Sequence, residues 1–148
     1  MKEKLLVSAC LLGLPCRYDG ESRSAVDVDS LTEKYELVPF CPEIYGGLPT
    51  PRTPSERVGD RVLMRDGVDV TENYKRGAVG AVALCRTLGC TKALLKARSP
   101  SCGVGAIYDG SFSGRLVDGN GVAAEHLINV GVAVFTENDI DLLLKSWN

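Results

Sequence analysis

The residues best suited to chemistry in this chain are three cysteines that each follow a short apolar run. Cys10 follows segment 4–9, Cys41 follows 36–40, and Cys102 lies in a turn-rich loop after 92–97. Thiolates presented by separate loops suit a soft metal or an iron-sulfur cluster. A cuboidal cluster held by only three of them leaves one iron open, and an open iron is a Lewis acid. The spacing excludes more familiar sites. There is no C-x-x-C pair and a single histidine, His126, so neither a zinc ribbon nor a thioredoxin-like motif can be assembled. The competing reading makes Cys10 and Cys41 small buried hydrophobes at strand ends, as free cysteines often are.

The neighbours of these thiols favour a site. Glu43 stands two residues after Cys41 in the stretch 41–54, whose four prolines and paired glycines exclude helix or central strand and fix the backbone. A carboxylate held there is a proton donor or acceptor beside a metal, although a solvated loop acid would carry the same sequence. Ser101 adjoins Cys102. Ser99, Arg52 and Arg98 are further donors that could orient an anionic or carbonyl-bearing substrate, or simply make caps and turn bonds. Cys16 is a second-choice ligand or reactive thiol, its direction left open by the Gly13-Leu14-Pro15 turn.

Other candidates carry less. Cys85 and Cys90 flank the end of a long helix on what should be the opposite edge of the sheet and read as structural. Gly103 and Gly105 resemble part of a phosphate-cradling loop but lack the lysine-serine sequel. His126 reads as a surface or capping residue.

The elements that must position the cysteines follow from periodicity. Strands are expected at 4–9, 36–40, 92–97 and 132–135, with helices at 29–35, 71–88, 121–129 and 136–147. Thr71 can cap the long helix and Gly89 ends it. Alternation in 56–70, broken by Gly59 and Gly67, predicts a β-hairpin laid over the rest. Strands alternating with helices predict an α/β fold: a Rossmann-like, open, mostly parallel four-stranded sheet with flanking helices and an inserted β-hairpin. Loops after parallel strands open on one edge, where ligands bind, and that edge gathers Cys10, Cys41 and Cys102.

Composition narrows the function. At 148 residues with 45% hydrophobic content, the chain is expected to fold as one domain spanning 1–148. A net charge of -2, with 17 basic residues scattered among 19 acidic ones, gives no footprint for nucleic acid or an anionic membrane. No apolar run is long enough to span a bilayer and no signal-peptide pattern opens the chain, so a soluble, cytoplasmic protein is expected. In that compartment six cysteines are thiols or ligands rather than a disulfide scaffold. Small-molecule chemistry remains.

Three segments carry a more specific signal. Ser8-Ala-Cys-Leu-Leu-Gly13 with Cys16-Arg-Tyr-Asp-Gly20, Cys41-Pro-Glu43 with Gly46-Gly-Leu-Pro-Thr-Pro-Arg52, and Lys96-Ala-Arg-Ser-Pro-Ser-Cys-Gly103 resemble the thiouracil desulfidase family over nearly the whole chain. The resemblance implies that Cys10, Cys41 and Cys102 hold a [4Fe-4S] cluster, that its open iron captures the sulfur of a thiolated pyrimidine, and that Glu43 and Ser101 serve catalysis. Non-redox removal of sulfur from 2-thiouracil would give uracil, with Glu43 shuttling protons for an attacking water. Two other classes stay open: a non-catalytic zinc or cluster module carrying sulfur, and a cofactor-free enzyme with Cys10 or Cys41 as nucleophile.

Overall fold

The computed structural model describes residues 2–21 and 26–145. Its centre is a parallel sheet of four strands, β1 (Glu3–Ser8), β2 (Tyr35–Phe40), β5 (Lys92–Leu95) and β8 (Ala133–Thr136), in the order β2-β1-β5-β8. The alternation of side chains along β1 determines the layering. Leu5 and Val7 point to one face and Leu6 to the other, and all three are buried because both faces are covered. Leu5 pairs with Leu37 and Lys92, and Leu6 with Val38 and Ala93, so the strand ends of β1, β2 and β5 come out level on one edge.

One face is covered by α3 (Thr71–Leu88) and α4 (Val122–Asn129), which pack Ala81, Cys85, Ala124 and Leu127 against Leu6, Ala93 and Leu95. The other carries α1 (Val28–Lys34) and α5 (Ile140–Leu144), which bring Leu31 and Leu143 onto Leu5, Val7 and Leu94. Each fully buried leucine contributes about 2 kcal/mol of burial free energy. This is the α/β, Rossmann-like sheet the periodicity predicts.

A third cluster lies beside the sheet. The expected hairpin is present as β3 (Ser55–Val58) and β4 (Arg61–Met64), and Val62 from it packs with Val70, Tyr74 and Ala78 of the α3 segment. A second hairpin, β6 (Ala106–Tyr108) with β7 (Leu116–Asp118), touches the first through β3 and β6. The sequence pattern assigns no element to this segment, because its strands have only three residues each.

Several local readings are corrected. The stretch 41–54 does contain a helix, the single turn α2 (Pro42–Tyr45): Pro42 sits in its first turn, where a missing N–H costs nothing. Thr71 does not cap α3 but is its first residue. Its Oγ1 accepts from the Val62 amide at 2.9 Å and donates to Asp69, tying the helix start to β4. Helix α1 starts one residue early, capped by Asp27, which accepts from Ser30. The closing segment 136–147 is a 3-10 turn capped by Thr136 and then α5, with residues 146 and 147 outside the described ones. Gly89 ends α3 in the left-handed conformation, as expected. Among the described residues no helix is long and apolar enough to cross a membrane.

Helices α2 and α3 meet backbone to backbone. A methyl group on Gly77 would lie 2.1 Å from the Pro42 carbonyl oxygen, and one on Gly80 would lie 2.4 Å from the Tyr45 ring. From the other side, Asn73 Nδ2 donates to the Gly46 carbonyl at 2.9 Å, satisfying the end of α2. Glu43 rides on this turn, so its height above the sheet is set by α3.

Candidate metal centre

Each cysteine reaches the carboxyl edge by a different local device. After Ser8 the chain leaves β1 into a 3-10 turn, Ala9–Leu11, which carries Cys10. Cys41 directly follows β2 and stands at the N-cap position of α2. Cys102 lies in a turn closed by the Gly103 amide donating to the Ser99 carbonyl at 2.8 Å. Gly103 is required there, since a Cβ would meet Ile107 at 2.7 Å and the Ser99 oxygen at 2.8 Å. The two glycines of the incomplete phosphate motif thus have structural uses: Gly105 donates its amide to Asn120 at 2.8 Å.

These turns surround a cavity of about 620 Å³, lined by Cys10, Cys16, Cys41 and Cys102 together with Glu43 and Ser101. Cys16, whose direction the sequence left open, turns inward. Its thiol stands between those of Cys10 and Cys41 and is raised in pKa mainly by the Cys10 thiol. Cys41 is raised by its contact with the Cys16 thiol and by burial, and burial pushes Cys102 up to about 12. Held as neutral thiols, these side chains are poor nucleophiles, and a bound cation is what would let them ionise. Among the described residues no three His, Cys, Asp or Glu side chains close around a single ion.

The polar side of the cavity is built around Glu43. Its Oε1 accepts from Arg52 Nε at 3.0 Å and pairs with the terminal guanidinium nitrogen at 3.0 Å, while its Oε2 accepts from the Ser101 hydroxyl at 2.9 Å. The pair is enclosed: the Arg52 and Glu43 side chains are 4% and 14% exposed. Arg52, which the sequence leaves open between a substrate donor and a maker of turn bonds, is spent on the protein. It also donates to the carbonyls of Cys16 at 2.9 Å and Pro49 at 3.1 Å and to the Thr50 hydroxyl at 3.0 Å, clamping the first cysteine loop onto the second. Ser99 is likewise structural, its Oγ accepting from the amides of Ser101 and Cys102 at 3.1 Å each. Ser101 is fully buried, and its hydroxyl also lies 3.5 Å from the Cys102 sulfur.

Tyr74 lies on the buried apolar face of α3. Its hydroxyl nevertheless faces Glu43 and Ser55 in the cavity wall, and burial raises its pKa, so it stays a neutral phenol. The α3 pattern gives no sign of this, because a tyrosine counts as apolar in a helical period. Arg98 lines the cavity with a positive φ of 68°. Cys85 and Cys90 are sealed in the core on the other edge, and His126 sits on α4 with Nδ1 2.9 Å from the Val122 carbonyl, outside the cavity.

Known proteins share this fold. The chain is 48% identical to a solved structure described as the [4Fe-4S]-dependent thiouracil desulfidase TudS, with a TM-score of 0.92, covering 96% of this chain and 95% of that one. It is 37% identical over 150 residues to the uncharacterized protein YbbK of Bacillus subtilis (strain 168), covering 95% of this chain and 99% of that protein. A family model for 2-thiouracil desulfurase matches residues 5–139, and the chain belongs to that family.

Proposed function

We propose that the chain is a [4Fe-4S]-dependent desulfidase that hydrolyses the C–S bond of a thiolated pyrimidine such as 2-thiouracil, with Cys10, Cys41 and Cys102 holding the cluster and Glu43 and Ser101 acting on substrate. The observation that carries this is the Glu43 carboxylate, gripped by Arg52 on one oxygen and by the Ser101 hydroxyl on the other, in a cavity that the three thiols share. The reading takes residues 1–148 as one iron-sulfur domain working in the cytoplasm, where thiols stay reduced; all six cysteines are free.

When bound, the cluster supplies a thiophilic Lewis acid toward the sulfur of the substrate. Glu43 Oε2 takes the proton of the water that adds to the thiocarbonyl carbon, and the Ser101 hydroxyl passes protons between that oxygen and the substrate. The carbon gains oxygen from water, the C–S bond breaks, and sulfur leaves as sulfide with the two protons. No electrons are exchanged. Arg52 keeps Glu43 from rotating away, and the buried position of Ser101 keeps the relay out of bulk solvent.

Anaerobically purified protein tests the reading directly. Broad absorption near ~400 nm with about four irons per chain, together with conversion of 2-thiouracil to uracil and sulfide, is expected. A folded, colourless protein that takes up no iron on reconstitution would overturn it.

A further inference from the structure

The two hairpins meet over the cavity through one carboxylate. Glu56, on β3 and 8% exposed, accepts at Oε1 from the Gly110 amide at 2.9 Å and from the Phe112 amide at 3.1 Å, both in the β6–β7 connection. Close approach there depends on Gly110, since a Cβ would lie 2.2 Å from Val58. Between these bonds Phe112 is held at φ 56°, left-handed backbone that a phenylalanine adopts only when its surroundings dictate it. The result is an aromatic ring on the cavity wall, with the Arg65 guanidinium 5.4 Å from its centroid.

Four other aromatic side chains line the wall: Phe40 packs on Tyr45 at 5.4 Å, Tyr74 is buried with its hydroxyl on Glu43, Tyr18 is 45% exposed, and Tyr108 is half-buried on β6. Phe112 alone among them is held in place by a left-handed backbone. Phe112 has no polar group to satisfy and is half-buried at the cavity.

We propose that Phe112 stacks on the pyrimidine ring of the substrate and sets specificity for a planar base, and that Glu56 is the positioning residue that holds it there. This rests on the function proposed above and adds the residue that recognises the ring. Arg65 covers one face of Phe112, and the base takes the other.

Steady-state kinetics of the cluster-loaded enzyme with 2-thiouracil test it. Phe112→Ala should raise KM about tenfold, the scale of one base–aromatic stack, with kcat falling less than KM rises. Phe112→Trp should keep KM within about twofold, because the flat face is preserved. Glu56→Ala should raise KM as Phe112→Ala does, Glu56→Gln should restore it, and Glu56→Ala added to Phe112→Ala should cost nothing more, because Glu56 acts only through the ring. Phe112→Leu, which keeps bulk but loses the π face, stands in if the alanine variant does not fold. Iron-loaded Phe112→Ala or Phe112→Leu with wild-type KM overturns the stacking alone. A cluster-loaded wild type that converts no thiopyrimidine overturns the proposed function and the stacking with it.

Discussion

The two edges of the central sheet each carry cysteines, and the contrast between them shows what makes a thiol a ligand candidate. At the amino edge Cys85 and Cys90 touch each other inside a cluster with Leu6, Ala81 and Leu127. At the carboxyl edge Cys102 is buried and Cys10, Cys16 and Cys41 are half-buried, and all four share a cavity with an enclosed carboxylate, a hydroxyl and a guanidinium. Burial alone does not separate a ligand candidate from a core cysteine, since Cys102 is as enclosed as Cys85 and burial pushes both up to about 12. Position at the end of a parallel strand, with polar groups converging from the neighbouring loops, is what differs.

Substitutions at the two edges should therefore part sharply. The largest effect is expected for Cys41→Ala, with loss of bound iron and of desulfuration to background; Cys16→Ser, beside it, should keep the iron, and iron analysis of the pair distinguishes three ligands from four. Glu43→Gln comes next: the same iron content and spectrum, but kcat lower by about 10² to 10⁴, the usual worth of a general base. A Glu43→Gln enzyme with full turnover would reduce the carboxyl edge to a metal-holding module. Ser101→Ala should lower kcat about ten- to a hundredfold, the value of one hydrogen bond to a charged group.

Cys85→Ala should be the mildest change. Iron content and turnover should match the wild type, with about 1 kcal/mol of stability lost from a small buried side chain. Its signature is in the pH dependence. The folded state keeps the Cys85 proton up to about 12, whereas the unfolded chain releases it near 9.0, so stability present below pH 9.0 is lost as pH rises toward 12. Urea unfolding on either side of that pH should show a shallower alkaline decline in Cys85→Ala. Iron loss in this variant would erase the distinction between the edges.

Much of the carboxyl edge could be read from residues alone, because strand-loop-cysteine repeats three times and parallel topology leaves one place for the loops to meet. The four-stranded parallel sheet and the first hairpin follow from period and turn residues in the same way, whereas the strand order came only from the structure. What escaped the sequence depends on distance in the chain. Nothing in Arg52 shows that it will bridge Glu43 and the Cys16 carbonyl, 36 residues away, instead of reaching for substrate. Tyr74 falls in the apolar period of α3, which says nothing of its hydroxyl, and the role of Glu56 requires knowing that two hairpins meet. The single turn α2 was hidden by its prolines, although a proline in a first turn is compatible with a helix.

The contact between α2 and α3 bears on how this protein can change. A glycine inside a helix costs about 1 kcal/mol relative to alanine, so Gly77 and Gly80 would head any list of sites for raising thermal tolerance by swapping in a better helix former. Here the missing methyl groups are the clearance that lets the Glu43 turn sit at its working height, and either swap would wedge that turn upward by contact with Pro42 or Tyr45. Selection for heat resistance and selection for turnover pull in opposite directions at these two positions. Laboratory evolution toward a hardier variant should leave both glycines untouched and gather its gains on the α1 and α5 side of the sheet.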